Sequence, residues 1–95
     1  MADVLYDDDH VFRDSSRMVI YARRESDYPG NVYYRMQYYD METGETLLRY
    51  DNAHDSDVGH YHRHSGSGVE GIDFENIHDH RLRFLSEVEQ IHANR

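Results

Sequence analysis

The sequence predicts an α+β domain: an antiparallel sheet of about four strands with one C-terminal helix packed on one face, in the order β-β-β-β-α. Three observations carry this. Residues 17–51 hold short, tyrosine-rich and β-branched runs separated by turn residues. Phe74, Ile77, Phe84, Leu85, Val88 and Ile91 recur at helical spacing. The chain has 95 residues, enough for one domain with one modest core.

The elements follow in order. Residues 1–9 read as a loosely ordered leader, because Asp7, Asp8 and Asp9 repel one another. The sheet is expected over residues 10–65. Met18, Val19, Ile20, Tyr21 and Ala22 suit a first strand. Tyr28-Pro29-Gly30-Asn31 is a turn, since proline fixes φ and glycine permits positive φ. From Val32 to Tyr39 the side chains alternate. Val32, Tyr34, Met36 and Tyr38 share one face, and Tyr33, Arg35, Gln37 and Tyr39 share the other. Glu42-Thr43-Gly44-Glu45 turns the chain into a third strand, Thr46 to Asp51, which completes a hairpin. His60 to His64 is the fourth strand, and Ser65-Gly66-Ser67-Gly68 a flexible connection. The helix is expected over 74–92, with Asp73 as its N-cap and the head of Arg81 at the sheet rim.

Composition limits the function. Nineteen acidic residues against ten basic ones give a net charge of −9, which excludes a broadly basic nucleic-acid coat but not a local basic patch. With no cysteine there is no disulfide, thiolate metal site or cysteine nucleophile. No apolar run approaches the roughly 20 residues of a membrane span, and the first residues lack the pattern of a signal peptide. A soluble, cytoplasmic protein is expected. All ten basic residues are arginine. An acidic surface without lysine fits adaptation to high salt, as in halophilic archaea, where screening removes self-repulsion. An ordinary acidic domain with an arginine bias is the alternative. A nucleic-acid binder in high salt gains little from long-range attraction and depends on close contacts.

The histidines carry the chemistry. Six of the eight fall between residues 54 and 80. On a strand, His60, His62 and His64 project from one face about 7 Å apart, close enough for two imidazoles to converge on one ion. That row, completed by Asp51 and His54, is one option: a site for zinc or another divalent transition metal. Acid–base catalysis is another, because imidazoles titrate near neutral pH and can divide the roles of base and acid. Metal-independent RNA cleavage needs such a pair and a cation on the phosphate, which Arg49 or Arg63 could supply. Alternation sets Arg63 opposite the histidines, so its role requires a twisted or edge strand. Simple surface histidines are the third option. Asp51 and Asn52 also have a local use, turning the chain after the third strand.

The run Leu48-Arg49-Tyr50-Asp51-Asn52-Ala53-His54, followed by His60-Tyr61-His62-Arg63-His64, resembles the TumE family of small proteins. In that family an Arg-Tyr-Asp-Asn-Ala segment leads to a histidine cluster and then a C-terminal helix. The resemblance extends over roughly residues 10–92. The family typically has prolines and paired histidines around the loop, whereas Asp55-Ser56-Asp57-Val58-Gly59 has no proline. The resemblance implies a toxin of a type II toxin–antitoxin module, a cognate antitoxin as partner and an RNA-directed activity. It also favours one site over several accidents. Asp51, His54, His60, His62 and His64 are the expected catalytic residues, and Arg49, Asn52 and Arg63 the substrate-binding ones. No cofactor is expected on this reading. A metal-binding module, with the metal at His60, His62 and His64, or a protein-interaction module, in either case without catalysis, is the alternative. A homodimer through the open sheet edges is a further expectation.

Overall fold

The structure is a computed structural model that describes residues 3–52 and 61–95. Six strands run in chain order: β1 (Val4–Val11), β2 (Ser16–Arg24), β3 (Val32–Asp40), β4 (Thr46–Asp51), β5 (His62–Ser65) and β6 (Gly68–Gly71). They form one sheet in the order β1-β2-β3-β4-β5-β6, every neighbouring pair antiparallel. The helix α1 (Ile77–Ala93) closes the chain. The α+β class and the C-terminal helix are as predicted, but the sheet has six strands, not about four.

The two additional strands lie at the two edges. Residues 4–9, expected as a loose leader, belong to β1. Its aspartates do not simply repel, because alternation sends Asp8 to the face opposite Asp7 and Asp9, and Asp8 and Asp9 each find an arginine. Asp8 faces the helix and accepts from Arg81 Nη2 at 3.1 Å. Asp9 faces the other way and pairs with Arg17 of β2. At the far edge, Ser65-Gly66-Ser67-Gly68 is not a free connection but the turn of a hairpin. Gly68, at φ +117°, opens β6 in a conformation that side chains disfavour. Glu70 of β6 pairs with Arg63 of β5 at 3.0 Å.

The core lies between one sheet face and α1. Ile20 and Ala22 of β2, Val32, Tyr34, Met36 and Tyr38 of β3, and Leu48 and Tyr50 of β4 are buried there with Phe84 and Val88 of the helix. These are the inward sets that period-two alternation predicts. Burying Phe84 alone contributes about 2 kcal/mol. The helix starts three residues later than predicted. Its N-cap is Asn76, whose Oδ1 accepts from the Asp79 amide at 2.8 Å, and not Asp73. Phe74 stays outside it, with its ring stacked on Tyr61 at 4.5 Å and parallel to Tyr34 at 5.7 Å. Gly30, at φ +72°, sits against this stack, where an added Cβ would come within 3.3 Å of Phe74.

Candidate functional site

The site grows from the end of β4. The backbone of β4 pairs with β3 as far as Asp51, which stands opposite Arg35. At Asn52 the side chain takes over from the ladder. Its Oδ1 accepts from the Tyr34 amide at 3.1 Å, and its Nδ2 donates to the Val32 carbonyl at 2.6 Å. Asn52 is fully buried, and both ends of its amide are engaged with the backbone of β3. It therefore anchors the strand end rather than facing a substrate.

On the other side β4 pairs with β5, Asp51 opposite His62 and Arg49 opposite His64. Directly opposed residues share a face, so all four side chains meet on the face away from α1. Asp51 is the hub. Its Oδ1 lies 3.1 Å from His62 Nδ1, and its Oδ2 lies 3.1 Å from His64 Nε2 and 2.9 Å from Arg49 Nε. Arg49 Nη2 reaches His64 as well, at 3.1 Å from Nε2 and 3.3 Å from Nδ1. Asp51 is only 8% exposed, so its charge needs these partners.

The two histidines differ in access. His62 is 3% exposed, whereas the side chain of His64 is 23% exposed. Burial pushes the His64 imidazole below its usual value, and the Arg49 cation lowers it further, against the opposing charge of Asp51. His64 is thus a neutral imidazole at neutral pH, next to a guanidinium and within reach of solvent. A neutral imidazole can accept a proton, and a guanidinium fork can hold a phosphate.

Other candidates lie elsewhere. Arg63 is opposite Tyr50, on the helix side of the sheet, where it binds Glu87 and Glu70. The β5 strand alternates regularly, so the twist that would bring Arg63 to the histidines is absent from it. His54 and His60 lie outside the described residues. His78 meets the Tyr6 hydroxyl at 3.2 Å, and His80 is buried among Tyr34, Tyr50 and Phe74.

One neighbour escaped the sequence reading. Arg35 is exposed directly opposite Asp51. The alternation of residues 33–39 already set it on the outer face, but only the pairing of β3 with β4 brings it beside the site.

Asp51, His62 and His64 also offer one ligand atom each, all within 4.8 Å of one another. This trio could hold a divalent transition metal; His60, the other expected ligand, lies outside the described residues. Arg49 already occupies Asp51 Oδ2, and its positive charge opposes a cation there.

The family model described as Toxin TumE matches residues 2–92, essentially the whole chain. The chain belongs to the TumE toxin family. No curated protein and no solved structure gives a significant match. The TumE match spans every strand and all but the end of the helix, so the Asp51 cluster lies well inside it. Membership of a toxin family suggests an antitoxin as partner. Among the described residues no helix is long and apolar enough to cross a membrane.

Proposed function

We propose that this TumE-family toxin acts on RNA, with the Asp51 cluster as its acid–base site. One observation supports the reading most: a single buried carboxylate joins two imidazoles and a guanidinium on the face of the sheet away from α1. His64 takes the proton of a ribose 2′-hydroxyl. The 2′-oxygen then attacks the adjacent phosphorus, and the bond from phosphorus to the 5′-oxygen breaks. Arg49 holds the phosphate oxygens, and Asp51 stabilises the imidazolium formed on His64. His62, buried against Asp51 Oδ1, positions the carboxylate. By their place in the sequence, His54 and His60 are the candidates for the acid that protonates the leaving oxygen.

The reaction needs no cofactor. A cognate antitoxin neutralises the toxin in the cytoplasm, either by covering the cluster or by pairing with an edge strand, β1 or β6. The same edges suit a homodimer.

The test is inducible expression of the wild type and of His64→Ala, with total RNA examined beside the growth curves. The expected result is growth arrest with RNA cleavage in the wild type, both lost in a variant whose circular dichroism is unchanged. Arrest with intact RNA would exclude the RNA reading. Arrest that persists in His64→Ala would exclude the site.

The ligand atoms of Asp51, His62 and His64 support a second reading, a metal-binding module without catalysis. Stoichiometric zinc in untagged protein, lost in His62→Ala and His64→Ala, would favour it.

A further inference from the structure

The face of the sheet away from α1 has a composition unlike the rest of the chain. By register, the outward positions of the four inner strands, β2 to β5, carry Arg17, Arg23, Arg35 and Arg49 against one carboxylate, Asp51. This occurs in a protein with 19 acidic residues and ten basic ones. The same face carries Tyr21, Tyr33 and Tyr39, all half-buried.

These side chains are already arranged as a platform. The rings of Tyr21 and Tyr33 lie 6.3 Å apart, and those of Tyr28 and Tyr33 lie 5.2 Å apart. The Arg23 guanidinium sits 4.5 Å from the centre of the Tyr33 ring. Two of the four arginines have tight local partners, Arg17 with Asp9 and Arg49 with Asp51. Arg23 has a looser one, Glu25 at 3.6 Å. Arg35 is exposed and forms no ion pair among the described residues. It stands between Tyr21 of β2 and Asp51 of β4, so the platform runs directly into the cluster.

The geometry points to this face as a binding platform for single-stranded RNA, with bases stacked on Tyr21 and Tyr33 and a phosphate on Arg35 beside the Asp51 cluster. The inference rests on the RNA reading of the Asp51 cluster and extends it to the substrate class. Unpaired bases stack on aromatic rings and guanidinium planes, whereas a duplex hides those faces. Arg35 on β3, Asp51 on β4 and His62 on β5 stand in one row across the sheet, and His64 lies two residues further along β5, about 12 Å from Arg35. A strand held on β2 and β3 therefore reaches the cluster within a nucleotide or two. Charge complementarity is local: the net charge of −9 repels RNA at long range, and the arginine-rich face supplies the short-range attraction. Stacking also survives high salt better than phosphate pairing does.

The experiment uses the full chain and a fluorescent 2′-O-methyl oligouridine of about eight nucleotides. The methyl group blocks cleavage, so anisotropy reads binding alone. We expect saturable binding, weakened at least tenfold in Tyr33→Ala and in Arg35→Ala, unchanged in Arg83→Ala on the helix, and poorly competed by duplex. Thermal melting checks that the variants fold. Tyr33→Phe, which keeps the ring, restores binding. Absence of binding, or equal affinity in all variants, overturns the platform. If Tyr33→Ala and Arg35→Ala keep RNA affinity but escape neutralisation by the antitoxin, the face belongs to the antitoxin and the proposal fails. Binding without cleavage of unmodified RNA would fail the catalytic reading while the platform stands. Cleavage without platform-dependent binding would do the reverse.

Discussion

Arg63 of β5 donates to Glu87 of the helix at 2.7 Å, while His62 and His64 on either side of it point to the opposite face of the sheet. A second bond runs from Arg63 Nε to the same carboxylate at 3.1 Å. The residue nearest the histidines in sequence therefore fastens the helix rather than serving the site. Arg63→Ala is expected to leave growth arrest intact and to lower stability by about 1 kcal/mol, since the pair is only partly screened by solvent. A double-mutant cycle with Glu87→Ala measures the coupling by denaturation. Loss of toxicity in a folded Arg63→Ala protein would return this arginine to the site.

Asn52 holds the end of β4 through two buried bonds to β3. Asn52→Ala orphans the Tyr34 amide and the Val32 carbonyl, and is expected to cost about 2–3 kcal/mol. Asn52→Asp is more specific. One carboxylate oxygen can still accept from Tyr34, but the other meets the Val32 carbonyl, so the ionised form is repelled and the protonated form can donate. The pKa of the new aspartate is raised on folding. Its stability defect is therefore smallest near pH 4 and grows as pH rises. Urea denaturation of both proteins at pH 4 and pH 7 checks this. A defect independent of pH would show that the second oxygen does not face the carbonyl.

Much of this arrangement was legible because alternation is a local signal. Val32, Tyr34, Met36 and Tyr38 declared their face, and Leu48 and Tyr50 theirs, without knowledge of the partner strand. Strand β1 was hidden because Asp7, Asp8 and Asp9 look self-repelling until Arg17 and Arg81 arrive from 8 and 73 residues away. The helix start was misplaced because Phe74 fits the apolar stripe but packs on Tyr61, outside the helix. The site was half legible. Asp51, His62 and His64 were singled out by type and spacing. That Asp51 bridges both imidazoles depends on the β4–β5 register, which spacing along the chain does not state.

The same register sets the titration of His64. The neutral imidazole is favoured by burial and by Arg49. Its midpoint is expected below 6.5 in a histidine NMR titration, and RNA cleavage should hold steady as pH falls through that value before declining. Arg49→Gln removes the repelling cation, so the His64 midpoint should rise. RNA cleavage should weaken too, through a higher KM, because the phosphate loses its partner. A midpoint that does not move in Arg49→Gln would mean that the guanidinium does not act on His64.

His80 provides the sharpest acid response. It is 4% exposed, with its ring 4.9 Å from those of both Tyr34 and Tyr50 and 5.1 Å from that of Phe74. Its Nε2 and the hydroxyls of Tyr34 and Tyr50 are buried without hydrogen-bond partners among the described residues. Burial first, and the Arg83 cation second, push its pKa down to about 4. The unfolded chain takes up this proton near pH 6.5 and the folded chain only near 4. The stability that His80 contributes is therefore complete above pH 6.5 and is lost as pH falls toward 4. At pH 5 the loss is about 2 kcal/mol. His80→Phe keeps an aromatic ring in the pocket and removes the titrating nitrogen. It should match the wild type within about 1 kcal/mol at pH 7.5, and at pH 5 it should gain about 2 kcal/mol relative to the wild type. Urea midpoints at the two pH values decide the matter. An offset between the two proteins that stays constant across this range would show that His80 is not the group whose protonation drives acid unfolding.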